Sequence, residues 1–444
     1  MPPAATRSTS TGSPLTGWRR SRPSTAARAT SSPSTGTVWR PWWSGSGPDA
    51  GRPSRRPRSS GEPPPPPPDE PAVNLLAVSH SCVVETNQRV YGELERELGR
   101  VDLVVPKRWF HEHTRGPLSP QRSSGFGGRI LALPVLRPGS VQLHAYAASA
   151  ARVLRRVRPD LLYIEEEPYS LAAVQWATAA RRAGVPAVFY NAQNLHKRYP
   201  APVRAWERWV WRSAAGAVCV SDTVRQALRR RGYAGRSWVV PLSVDVSLFQ
   251  PEAADTALRD RLGLRRHVLS YLGRLVPEKG VLVALEAYRE LARRADTSLL
   301  CIGGGPLAAE LRRQEGVVVL DETPHADVHR ILPLSDLLLM PSMTTPAWKE
   351  QFGRAAIEAM ACGIPVVGSD SGEIPAILRA TGGGVVVREG DPAALGDAIS
   401  RLLDSERARR DLGARGRESV AARFSTRAVA AQLAAAFEEA LRAC

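Results

Sequence analysis

The chain has 444 residues and a formal net charge of +17, long enough for two domains and an extension. Its arginines are scattered over many helices, with no basic block interleaved with aromatics, which argues against nucleic acid and leaves membrane surfaces or anionic substrates as partners. Cys82, Cys219, Cys301, Cys362 and Cys444 are too widely spaced for a disulfide framework or a metal-ligand set, which suits a reducing cytoplasm, and the chain has neither an apolar run of membrane-spanning length nor an N-terminal secretory signal.

Residues 1–70 carry 15 of the 37 prolines, six of them consecutive from Pro63 to Pro68. Only Leu15 and Val38 stand for Leu, Ile, Val and Phe there. Such a stretch cannot bury enough apolar area to offset its ordering entropy. A disordered tail is expected, with the proline run extended. It reads equally as a linker or interaction tail and as translated sequence ahead of the true start.

From Ala72 short apolar runs alternate with helical patterns. Strands are expected at 73–78, 102–105, 161–164, 187–190 and 217–220, and helices at 88–98, 170–183 and 203–213. Strand–helix alternation implies right-handed crossovers and a parallel sheet. His80 ends the first of these strands and Glu165-Glu166-Glu167 ends the third. Adjacent carboxylates seldom converge, so the plain reading of the triplet is a solvated run. At a cleft, His80 and Glu165 become candidates for contact with a substrate. His144, His267 and His325 have no partner in the sequence and read as structural or solvent-facing. Trp206, Trp209 and Trp211 alternate with Arg204, Arg208 and Arg212 on one helix. That suits peripheral contact with a membrane; the alternative packs the rings inward under arginine stems.

The chain passes through a join near 241–250, and a second series begins near His267. Strands are expected at 268–272, 298–302, 317–320, 337–340, 366–368 and 384–387. Two series imply an α/β fold of two Rossmann-like domains facing across a cleft. Ligands of open parallel sheets bind at the carboxyl ends of strands. The first strand of the second series runs into Gly273-Arg274-Leu275-Val276-Pro277-Glu278-Lys279-Gly280. Gly273 lets backbone approach a ligand closely, and Arg274 and Lys279 can set two positive charges on a diphosphate. Gly303-Gly304-Gly305-Pro306 is chiefly an architectural turn, with Gly304 a candidate contact to a nucleotide.

Residues 350–364, EQFGRAAIEAMACGI, say most about function. A Phe352-Gly353 turn follows Glu350, a helical pattern carries Glu358, and Gly363-x-Pro365 stops it. The N–H groups at such a helix start attract a diphosphate. Glu358 lies about 7.5 Å further along the axis at the helical rise, about the reach from a diphosphate to its ribose. Glu350 sits on the other side of the anion, where a sugar would lie. The last helical pattern, 426–441, carries Val429, Leu433, Phe437 and Leu441 on one face.

These elements resemble the signature of the retaining glycosyltransferases of family 4 (group 1): the E-x7-E pair Glu350 and Glu358, the G-R-x-x-x-x-K-G segment from Gly273 to Gly280, and the G-x-G-P turn at Gly303. Residues 341–378 resemble bacterial polysaccharide-building members. The resemblance implies the GT-B fold: an acceptor domain at 71–242, a nucleotide-sugar domain at 243–425, and a helix at 426–444 crossing back onto the first domain. It implies that Arg274 and Lys279 hold the donor diphosphate, that Glu350 orients the sugar, and that Glu358 accepts from the ribose. Phe352, Gly353, Gly273 and Gly304 complete the donor site. The chain contains no D-x-D pair, so neither a metal nor another cofactor is expected. The expected partners are a nucleotide-sugar donor and a glycan or lipid-linked acceptor, met in the cytoplasm or at the inner face of the plasma membrane. Departures lie on the acceptor side. The loop 79–87 lacks the usual glycine pair, Ser243 replaces a glycine in the segment Pro241 to Asp245, and Gln193 or Asn194 stands where many members have a histidine. Rival readings are a phosphorylase or nucleotide-sugar epimerase of the same fold, and a non-catalytic nucleotide-binding scaffold.

Overall fold

The structure is a computed structural model that describes residues 73–110, 116–252, 254–293, 296–321 and 323–444; the tail expected at 1–70 lies outside them. The first sheet contains β1 (Val73–Val78), β2 (Gly99–Pro106), β3 (Ile130–Leu133), β4 (Leu161–Ile164), β5 (Ala187–Asn191), β6 (Gly216–Cys219) and β7 (Arg236–Val239). Their order is β7-β6-β5-β4-β1-β2-β3, and every pair is parallel. The second sheet contains β8 (His267–Leu272), β9 (Thr297–Ile302), β10 (Val317–Leu320), β11 (Leu337–Met340), β12 (Val366–Ser369) and β13 (Gly384–Val387). Its order is β10-β9-β8-β11-β12-β13, again parallel.

The central strands form because helices cover both faces of each sheet. Leu75 to Val78, Leu161 to Ile164 and Leu337 to Met340 are buried without alternation, the pattern of a doubly covered parallel sheet. The edge strands β3 and β7 were not legible in the sequence. Both are mostly half-exposed; β7 begins with Arg236 and Ser237, and β3, though apolar, is four residues long and closed by Pro134. Two short antiparallel pairs, Trp109–Phe110 with Pro117–Leu118 and Val135–Leu136 with Ala145–Tyr146, also lie in this region.

Each sheet reverses its strand order once, and a crevice opens at such a point. In the first sheet the reversal falls between β1 and β4, placing the loops after Val78 and Ile164 side by side. In the second it falls between β8 and β11, placing the Gly273 loop beside Pro341 and Ser342.

Six helices matter for the site: α1 (Arg89–Leu98), α2 (Leu171–Ala183), α3 (Ala201–Ser213), α4 (Asp222–Arg230), α5 (Arg354–Ala361) and α6 (Thr426–Arg442). The chain crosses between the sheets twice at one place, where Val244 pairs with Ser425. Helix α6 then returns to the first sheet. Its Val429, Leu433 and Phe437 share a buried cluster with Tyr91, Leu94 and Leu98 of α1. Two of the three tryptophans of α3 have partners within the molecule. Trp209 Nε1 donates to Thr178 Oγ1 of α2 at 2.9 Å, and Trp211 packs edge-on against Tyr233. No helix among the described residues is long and apolar enough to cross a membrane.

Candidate active site

Two cavities of about 360 Å³ each lie at the strand ends, and Tyr190, Leu242, His325, Arg354 and Glu358 line both. They form one continuous cleft. The first extends over the ends of β1 and β4, the second over the ends of β8 and β11.

The second cavity gathers the residues that the sequence singled out for a donor. Gly273, Arg274, Lys279, Glu350, Phe352, Gly353 and Glu358 all line it. Lys279 Nζ lies 2.8 Å from Glu350 Oε2, and Ser342 Oγ donates to the same oxygen at 2.9 Å. The ammonium also sits 4.9 Å from the ring centroid of Trp348, a cation–π arrangement. Glu350 is thus a buried carboxylate with a charge partner and a hydroxyl donor, fixed before any ligand arrives. Arg274 is less constrained; its nearest charge is Glu278, 3.9 Å away. Gly353 has φ +94° and caps α5 in the left-handed region, where glycine is favoured. The first N–H groups of α5 have no intrahelical acceptor, and Arg354 and Ala355 line the cavity.

Glu358, on the buried face of α5, is 3% exposed. His325 Nε2 lies 2.7 Å from its Oε1, so His325 is a site residue rather than a solvent-facing one. Chain order hides this contact, because the two residues are 33 positions apart. Gly304 does not belong to the lining. Its carbonyl accepts from Leu275 N–H at 2.9 Å, so it shapes the Arg274 loop from beneath.

The acceptor-side candidates divide. His80 and Glu165 line the first cavity. Gln193 and Asn194 line neither cavity and serve other ends. Gln193 Oε1 accepts from Leu195 N–H within its own turn. Asn194 Nδ2 donates to the Glu350 carbonyl at 2.8 Å, reaching from the β5 side to the loop of the other domain. Ser221 Oγ, at the start of α4, donates to the Gln351 carbonyl, and Thr223 donates to Glu373. Arg354 bonds Asn87 and Arg89 pairs with Asp245 on the opposite side of the cleft. The first domain therefore holds the Glu350 loop of the second. Asn194→Ala removes one such tie. A neutral hydrogen bond contributes about 1 kcal/mol, so donor turnover should fall about fivefold while nucleotide affinity, read by calorimetry, stays put. An unchanged turnover would separate Asn194 from the placement of Glu350.

The glutamate triplet is not a solvated run. Tyr91 Oη donates to Glu165 at 2.7 Å, and burial pushes the Glu165 carboxyl up. Burial likewise raises Glu167, to about 7. Burial works in the same direction on Glu166, but the imidazoles of His80 and His144 hold its carboxyl down at about 2. His144, read as having no partner, packs against Trp109 and His80.

Comparison with known proteins agrees with this architecture. Residues 87–248 match the model of Glycosyltransferase Family 4, and residues 257–419 match that of Glycosyl transferases group 1. The chain belongs to the group 1, family 4 glycosyltransferases and has their GT-B fold. Among curated relatives it is 28% identical to the 2-deoxystreptamine glucosyltransferase of Streptomyces kanamyceticus, over 66% of this chain and 78% of that one. It is 35% identical to a GDP-mannose-dependent phosphatidylinositol monomannoside mannosyltransferase of Mycobacterium tuberculosis, over 44% and 54%. Among solved structures, sucrose-phosphate synthase from Thermosynechococcus elongatus superposes with TM-score 0.63 at 19% identity, covering 84% of this chain and all of that one. Anabaena HepE, solved with UDP-glucose, superposes with TM-score 0.64 at 18% identity, covering 83% and all of it.

Proposed function

We propose that this glycosyltransferase moves a sugar, with retention of anomeric configuration, from a nucleoside diphosphate to a hydroxyl of a glycan or glycolipid acceptor in cell-surface polysaccharide synthesis. The observation that carries this reading is the preset Lys279–Glu350 pair, flanked by Arg274 and the start of α5 in one cavity. Two fixed cations and a helix N-terminus supply what a diphosphate needs, so no divalent metal is required to hold the donor. Relatives named for GDP-mannose and a neighbour solved with UDP-glucose support a nucleotide-sugar as donor.

The chemistry follows from charge placement. The bond between the anomeric carbon and the diphosphate oxygen breaks, and negative charge grows on the diphosphate against Arg274, Lys279 and the N–H groups near Gly353. The acceptor oxygen bonds to the anomeric carbon on the face the diphosphate leaves, and its proton passes to a diphosphate oxygen. Glu350, held by Lys279 and Ser342, orients sugar hydroxyls and does not act as a base. The test is proton NMR of the full chain with UDP-, GDP- and ADP-sugars in EDTA, with water as the default acceptor. An α-linked donor should first release the α sugar. Initial release of the β sugar would overturn retention, and turnover that appears only with added magnesium would overturn metal independence.

Glu358 gives a second check on the donor end. If its carboxylate accepts from the ribose, Glu358→Gln should weaken nucleotide binding about 10-fold or more, the worth of a hydrogen bond to a charged group. The variant should also lose the preference for a nucleotide over its dideoxyribose analogue. A variant that keeps this preference would place the ribose elsewhere.

A further inference from the structure

The reversal point of the first sheet holds a group of side chains that donor binding does not use. His80 follows β1, Glu166 follows β4, and His144 comes from the segment beside the Val135–Tyr146 strand pair. His144 and Glu166 are fully buried, and His80 is one-fifth exposed. Donor atoms of the three residues all lie within 4.8 Å of one another. Trp109 packs against both imidazoles.

The hydrogen-bond accounting leaves one buried ring nitrogen without a partner. His144 Nδ1 lies 3.0 Å from the Ser140 carbonyl, which can only accept, so the proton belongs on Nδ1. Nε2 is the other ring position, available as a ligand. It is buried without a hydrogen-bond partner and faces Glu166 Oε1, 3.4 Å away. A buried ring nitrogen beside a buried carboxylate oxygen calls for a proton or a metal ion between them. At 3.4 Å the pair is longer than the about 2.7–2.9 Å of a charge-assisted bond. Glu166 Oε1 already accepts from His80 N–H at 2.8 Å, and Oε2 lies 2.6 Å from His80 Nδ1. That second contact can share one proton and leaves His144 unexplained.

A metal ion satisfies both ends. Two ligands about 2.0–2.1 Å from a tetrahedral zinc ion stand about 3.4 Å apart, the separation seen between His144 Nε2 and Glu166 Oε1. A ligating histidine commonly gives its other ring N–H to a backbone carbonyl, which fixes the tautomer; Ser140 does this for His144. Two imidazoles and one carboxylate are a borderline-soft set that suits zinc, and three protein ligands leave a fourth position open. His80 and Glu166 both line the first cavity, so that position faces the cleft on the acceptor side.

We propose that His80, Glu166 and His144 bind one divalent transition-metal ion, zinc by preference, in the wall of the acceptor cavity. The ion stands apart from the donor diphosphate, whose charges Arg274 and Lys279 meet. It fixes the loops after β1 and β4 and offers its open position to an oxygen ligand, water or an acceptor hydroxyl. Its binding competes with the proton that His80 and Glu166 share.

The test uses the full chain, expressed with zinc in the medium and purified without chelator or metal-affinity resin. Elemental analysis should find about one zinc per chain, and His144→Ala should retain less than about a tenth of it. To separate metal loss from misfolding of that variant, chelator-stripped wild-type protein is titrated in parallel with Co²⁺. A visible absorption band of four-coordinate cobalt, displaced by Zn²⁺, is the expected result. Wild-type protein with negligible zinc and no cobalt band would overturn the proposal and leave a proton-bridged His–Glu pair. Equal zinc in wild type and His144→Ala would overturn it too, by placing the metal elsewhere. Neither outcome touches the donor-site reading, which nucleotide binding tests separately.

Discussion

Lys279→Ala should lower donor turnover by about 10²–10³-fold, the loss seen when one preorganised donor to a developing anion is removed. The side chain has two roles that the substitution ends together. Its ammonium meets the charge that grows on the diphosphate, and it neutralises Glu350, whose side chain is 8% exposed. With Lys279 gone, Ser342 is the direct partner left to the Glu350 side chain among the described residues. An unpaired buried carboxylate is costly, so the melting temperature should drop as well. Glu350→Gln in the Lys279→Ala background separates the two effects. It should restore the melting temperature, because no charge is left stranded, and should leave turnover low. Recovery of turnover in the double variant would show that Lys279 matters only as the counter-ion of Glu350. A single variant within about threefold of wild type would remove Lys279 from the electrostatic account altogether.

Gly372→Ala should be nearly as damaging, although residue 372 carries no chemistry. Gly372 has φ +60°, and a Cβ there would lie 2.1 Å from the Glu350 carbonyl oxygen. The left-handed conformation costs a non-glycine residue about 1–3 kcal/mol. The clash is with backbone, so it cannot be relieved by turning a side chain. Either the loop from Glu350 to Gly353 moves or the turn at Gly372 does, and both carry Glu350, since Glu373 N–H donates to the Glu350 carbonyl. A misplacement of about 1 Å can cost about 100-fold in rate. We expect a loss of that order in donor turnover, with the circular dichroism of the folded protein retained. Wild-type turnover would mean that the position of the Glu350 loop is not critical.

These two cases show where the sequence is legible. The donor side could be read because each part is local. A strand ends, a loop follows, and the residues that touch the ligand sit within a few positions of the strand end or on one helix turn. Arg274 and Lys279 share one loop, and Glu350 and Glu358 share one short stretch. The acceptor side could not be read in this way. His80, His144 and Glu166 come from three segments, and only the strand order of the first sheet brings them together. His325 meets Glu358 for the same reason. Asn194 was noticed but misassigned: its position after β5 was legible, while its reach to the Glu350 carbonyl depends on how the two domains close. Of the edge strands, β7 is masked by Arg236 and Ser237, and β3 is a four-residue run closed by Pro134.

Glu166 is buried and Glu165 and Glu167 are half-buried, which corrects a rule of thumb. Three consecutive carboxylates were expected in solvent. They are instead drawn in by Tyr91, by the two imidazoles, and by the Ala192 N–H that donates to Glu167. Each finds a different partner because the chain has left the strand and successive side chains point in different directions.

The central claim is that a nucleoside diphosphate sits between Arg274, Lys279 and the start of α5 without a bridging metal. Thermal unfolding of the full chain in EDTA with UDP, GDP and ADP, beside an Arg274→Ala control, tests it most directly. A ligand at 100 times its dissociation constant should stabilise the protein by about 2.7 kcal/mol. The account predicts a clear rise with one of the three nucleotides and none in the control. No rise with any of them, or a rise that survives Arg274→Ala undiminished, would contradict it.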